Sequence, residues 1–172
     1  MYQGPTAFYQ IAHVLLSEID DALNGSAYGS VPRACVVPGE FAWDNCECGT
    51  LAITPRRFFL TDEFPETALG RGEVRIGPCQ LPYLIGEFAI SIIRCAPQPP
   101  DGFLAPTCEA LDVSSAVLLS DAYVVMNETV TTLCELTEAN QIIDYILGEQ
   151  LTRGPEGACV GTELVTFVGI ER

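Results

Sequence analysis

The run "YLIGEFAISIIRCA", residues 83–96, constrains this chain more than any other stretch. Phe88, Ile90 and Ile92 share one face of it, while Glu87 and Ser91 share the other. A two-residue period belongs to a strand, whose successive side chains point to opposite faces. The run closes at "PQPPDG", a cluster of breakers. A second alternating run, "TELVTFVGI" at 162–170, follows the strong turn signal "TRGPEGACVG". "QIIDYILGEQL", residues 141–151, reads as the strand that enters that turn.

The other elements follow from the same kind of reading. Residues 5–24 predict a helix. Pro5 suits its first turn, Thr6 stands near the cap, and Phe8, Ile11, Ala12, Leu15, Ile19, Ala22 and Leu23 recur at helical spacing. Asn24-Gly25 ends it. "RACVVP" at 33–38 reads as a short strand and "GTLAITPRRFFL" at 49–60 as a second. Pro55 inside that second strand implies an edge, a bulge or a break. Residues 107–138 carry helical apolar spacing through Leu111, Leu118, Leu119, Ala122, Val125, Met126, Leu133 and Leu136. Their β-branched residues weaken intrinsic propensity, so packing has to hold this helix. The expected order is α-β-β-β-α-β-β. That is an α+β fold, a mostly antiparallel sheet with two helices packed on one face. One domain over 1–172 fits the length, and no repeat or linker divides it. The loop between the second and third strands, about 61–82, is too long for a tight hairpin, and long ordered loops commonly serve interfaces.

Charge narrows the function. Twenty-three acids against eight bases give −15, a surface that repels a phosphate backbone. All eight cations are arginine, which suits planar bidentate contacts, although a GC-rich genome produces the same bias. No apolar run reaches the roughly 18–20 residues that span a bilayer. The first twenty residues lack the basic segment and cleavage site of a secretory signal, so export by that route is not expected.

The densest stretch is "VPGEFAWDNCECG", residues 37–49, with Glu40, Asp44, the single Trp43 and the pair Cys46 and Cys48. Structural zinc uses two knuckles of the C-x₂₋₄-C kind. Here one residue separates the only close pair, and Cys79, Cys95, Cys108, Cys134 and Cys159 are dispersed. No metal or other cofactor is expected. Glu40 and Asp44 read as a solvated turn, and Trp43 as an anchor that locks the loop into the core. Phosphate-binding glycine motifs and the G-x-S-x-G elbow are absent, and the lone His13 sits on a helix, so no enzyme is expected. Asn127-Glu128-Thr129 matches a glycosylation sequon but falls inside the predicted long helix.

Disulfides stay open. Cys95 ends one strand and Cys108 opens the long helix, so their loop offers one pairing; Cys159 with Cys46 or Cys48 across the sheet offers another. The competing reading is buried reduced thiols that pack as small hydrophobes. "RRFF", Arg56, Arg57, Phe58 and Phe59, together with Phe64, is the candidate interface, because arginine and aromatic side chains anchor subunit contacts. Alternation lets only one of Phe58 and Phe59 face a partner.

The segments "RACVVPGEFAWDNCECGTLAIT", Phe64-Pro65, "ISIIRCAPQPP", "PTCEALD" and "GPEGACVGTELVTFVG" resemble a protein type from the structural gene clusters of tailed phages that infect actinobacteria. The element order is similar to the lambda-type siphophage tail terminator, which caps the tail tube as a hexameric ring. The chain departs from that small family in its cysteines and its longer loop. The resemblance implies a virion protein of the neck, assembled in the host cytoplasm. Its partners would be further copies of itself, the major tail tube protein and the head–tail connector proteins. A head–tail adaptor or stopper ring is the nearby alternative, and a thiol- or metal-dependent enzyme the distant one. Six copies of −15 carry −90, so DNA would pass the lumen without specific binding, and no membrane is involved.

Overall fold

The computed structural model describes residues 6–39, 49–61, 63–65, 83–98, 105–156 and 158–171. Helix α1 spans Ala7–Asn24, followed by strands β1 (Ala34–Val36), β2 (Thr50–Thr61) and β3 (Tyr83–Cys95). Helix α2 spans Cys108–Glu138, and strands β4 (Asp144–Glu156) and β5 (Cys159–Glu171) complete the chain. The fold is α+β in the expected order. Its five-stranded sheet runs β1-β2-β3-β5-β4, with β1 parallel to β2 and every other pair antiparallel.

Alternation decides what each face of the sheet holds. Phe88, Ile90 and Ile92 of β3 lie in one core with Leu51 and Ile53 of β2 and Leu164 and Val168 of β5. Ile11, Leu15 and Ile19 of α1 and Val125, Leu133 and Leu136 of α2 complete that core, so both helices pack on this face. Each such aliphatic side chain contributes roughly 1.5–3 kcal/mol through the apolar area it removes from water. Ile85, Glu87, Ala89, Ser91 and Ile93 of β3 point to the opposite face, where no helix packs among the described residues.

Local chemistry explains the element ends. Gly25 closes α1 by donating its backbone N–H to Asp21 O at φ −80°, so no left-handed cap is needed there. Thr6 makes no side-chain cap, whereas the Thr107 hydroxyl accepts from Ala110 N at 3.2 Å and caps α2. Pro55 meets two of its three expected outcomes: the β2–β3 register shifts between Pro55 and Arg57, and the β1 pairing ends at Ile53, before the proline. The expected turn at 152–161 is shorter than its glycine and proline content implied. Thr152 and Arg153 pair with Thr162 and Gly161 as strand, and a bulge between Arg153 and Glu156 absorbs the irregularity. Cross-strand pairing overrides local propensity at this hairpin.

A glycine lets an aromatic ring rest on the sheet on each face. A Cβ at Gly86 would stand 2.8 Å from the Phe8 ring of α1, and one at Gly169 would stand 2.7 Å from the Phe64 ring. Bare backbone at these two positions is what those rings cover.

Candidate functional site

The bulge at Pro55 determines where the arginine–aromatic strand points. After it, Phe58 pairs with Gly86 and faces α1, where its ring lies 5.0 Å from that of Phe8. Arg57 and Phe59 pair with Glu87 and Ile85 and face the helix-free side. The expected division of Phe58 and Phe59 between two faces therefore holds. Phe59 and Phe64 pack with Ile85 and Phe167 in a small second cluster, while Phe58 stays half exposed beside α1.

The arginines have carboxylate partners within the chain. Arg57 Nε donates to Glu87 Oε2, and its guanidinium lies 5.3 Å from the Phe59 ring and 5.7 Å from that of Phe167. Arg56 reaches Glu163 of β5 at 2.7 Å, and Arg153 of β4 reaches the same carboxylate at 2.8 Å. The intervening β3 residues Ala89 and Ser91 are small, which leaves space for Arg56 to cross the sheet. Burial pushes the Glu163 carboxyl up, but the hydrogen bonds and charges of Arg153 and Arg56 outweigh it and hold the group below the usual carboxylate range. The "RRFF" strand thus forms part of an ionic and aromatic layer that ties β2, β3, β5 and β4 together. Sequence reasoning missed Glu87 and Glu163, the acids that complete this layer. The alternating run marked the face of Glu87, but only the sheet order shows which arginines the two acids meet.

Helix α2 is divided. No residue of its first thirteen, 108–120, is buried, and burial begins at Asp121. Asp121 is 0% exposed and accepts two hydrogen bonds from Arg94 of β3, from Nε at 2.8 Å and from Nη2 at 2.9 Å. Arg94 Nη2 also donates to Gly29 O at 2.7 Å, so one guanidinium joins α2, β3 and the segment after α1. Beyond that anchor the outer half displays Leu111, Val113 and Leu119, with Tyr123 one turn further on. The continuous apolar face expected from Leu111 to Leu136 is packed only over its second half. A groove of about 360 Å³ separates the outer half from the end of the sheet, with Val117 and Leu118 on one wall and Arg94, Cys95 and Val160 on the other.

The candidate cysteines separate. Cys108, the first residue of α2, is a free exposed thiol, so the structure does not join it to Cys95. Cys95 instead stands across from Cys159 in the β3–β5 register. Cys46 and Cys48 lie outside the described residues, as do Glu40, Trp43 and Asp44 and most of the loop at 61–82. Cys134 Sγ lies 2.9 Å from Tyr145 Oη; that hydrogen bond first, and burial second, push the Tyr145 phenol up to about 12. His13 is exposed and meets Tyr9 edge-on.

Among the described residues no group of three His, Cys, Asp or Glu side chains converges as a metal ion would require. No helix among them is long and apolar enough to cross a membrane. No protein-family model matches this chain, and no curated protein matches it.

Proposed function

We propose that this chain is a structural virion protein of a tailed phage that forms a ring at the head-proximal end of the tail tube. There it ends tail polymerisation and joins tail to head. The observation that carries the reading is the outer half of α2: thirteen residues without one buried side chain, bearing Leu111, Val113 and Leu119 in the open. A helix that is apolar and uncovered in the monomer is stable in water when a second surface covers it. The occupant is a further copy of the same chain, because a ring is built by heterologous contacts that repeat from subunit to subunit. The five-stranded sheet supports a terminator over a largely helical adaptor. Arg56, Arg57, Arg94 and Arg153 pair with carboxylates of the same chain, and the net charge of −15 suits a passage for DNA.

The test is assembly of the full chain. Native mass spectrometry and negative-stain microscopy should show closed rings, six-membered if the resemblance to the terminator extends to stoichiometry. Val113→Glu with Leu119→Glu should abolish them while the melting temperature stays within a few degrees, since both side chains are exposed. A wild-type chain that remains monomeric at the concentrations of assembly overturns the ring. Rings that survive the double substitution remove α2 from the interface. In infected cells, loss of the protein should leave unjoined heads and tails of irregular length.

A further inference from the structure

Cys95 and Cys159 are far apart in the chain and meet where β3 lies beside β5, whether or not the chain forms a ring. In the antiparallel β3–β5 pair, Cys95 is the register partner of Cys159. Ala96 N donates to Ala158 O at 2.7 Å, which makes the next pair outward a hydrogen-bonded one. Antiparallel ladders alternate, so Cys95 and Cys159 occupy a non-hydrogen-bonded pair, where side chains on the same face approach closest and Cα atoms stand about 4.5 Å apart. A disulfide spans Cα separations of roughly 4.4–6.8 Å. The two sulfurs therefore belong to positions that a disulfide can bridge without moving either strand.

We infer that Cys95 and Cys159 are a redox-active dithiol that closes to a cross-strand disulfide between β3 and β5. Their exposure differs in a way that orders the reaction: Cys95 is exposed and Cys159 is fully buried. With a small-molecule disulfide such as oxidised glutathione as the oxidant, the Cys95 thiolate attacks one of its sulfurs. The glutathione S–S bond breaks, one glutathione leaves as thiolate and takes up the proton that Cys95 gave. Cys159, losing its own proton, then attacks Cys95 Sγ in the mixed disulfide. The second glutathione leaves and is protonated in turn. One S–S bond is exchanged for another, the protein loses two electrons, and two glutathione thiols appear. Two of the other described thiols are poorly placed to compete. Cys35 lies on β1, beyond β2 in the sheet, and Cys134 is engaged with Tyr145 on α2. The new bond would close the chain around α2 and β4 and staple the sheet end that lines the groove beside the outer half of α2.

The experiment incubates the purified full-length chain with oxidised glutathione, quenches it in acid and digests it with pepsin without reductant. Mass spectrometry should find a peptide pair linked through Cys95 and Cys159 that separates on reduction. The oxidised chain should melt roughly 5–15 °C above the reduced one, the shift expected for a disulfide that closes a long loop in a domain of this size. Cys95→Ser should melt at the same temperature with and without oxidant. Recovery of Cys95 as a stable glutathione adduct with Cys159 as a thiol overturns the inference. So does linkage of Cys95 to Cys108 or to any other cysteine.

Discussion

Replacing Asp121 by alanine should be the most damaging single polar substitution in α2. Its carboxylate is 0% exposed and receives two hydrogen bonds from Arg94, whose own side chain is only 16% exposed and also binds Gly29 O. Arginine cannot shed its proton to escape burial. Asp121→Ala therefore leaves a nearly buried guanidinium with one carbonyl partner and no countercharge. Breaking a buried pair from one side costs about 3–5 kcal/mol. At roughly 2–4 °C per kcal/mol for a domain of this length, the melting temperature should fall by about 6–20 °C. Urea unfolding followed by circular dichroism measures the loss directly. The double variant Asp121→Leu with Arg94→Met, which removes both charges at similar volume, should recover most of it, because an ion pair and a packed apolar pair are often near equal in stability. A cost for Asp121→Ala below about 1 kcal/mol, the range of exposed pairs, would refute the argument by showing that water screens this one. Hydrogen exchange adds a second readout. Since burial of α2 begins at Asp121, the amides of 108–120 should lose protection before those of the inner half.

Two other consequences are as direct. The Glu163 carboxyl is held below its ordinary range, so its stabilisation is present above the ordinary glutamate value of the unfolded chain and is lost as pH falls through the folded value. Glu163→Gln should lower the melting temperature at pH 7 and flatten its decline in acid. The change should be about 1 kcal/mol or less, because Arg56 and Arg153 are 34% and 47% exposed and partly screened. Equal slopes for the two chains between pH 7 and 3 would count against the pairing. Gly86→Val should cost about 1–3 kcal/mol, since a Cβ there meets the Phe8 ring at 2.8 Å and the fully buried Phe88 ring at 3.1 Å. An unchanged melting temperature would show that Phe8 moves aside freely.

Sequence by itself determined the element order and the two faces of β3. The alternation of 83–96 places Phe88, Ile90 and Ile92 together against the helices and Glu87 and Ser91 opposite, as observed. Pro55 announced a break in strand regularity, and the bulge is there. These features are local: side-chain direction repeats every two residues in a strand and every 3.6 in a helix, so a short window contains the information. What tertiary structure alone decided is every relation between distant windows. The order β1-β2-β3-β5-β4 inserts the last strand between the third and fourth. That insertion brings Arg56 and Arg153 to Glu163 from either side and sets Cys95 against Cys159 rather than Cys108. Helix α2 makes the same point within one element. Its apolar spacing runs from Leu111 to Leu136, yet only the part beyond Asp121 meets a core. Periodicity says which side of a helix can be buried, but how far along it a partner surface extends depends on where the sheet ends. That is a property of strand lengths and registers set elsewhere in the chain.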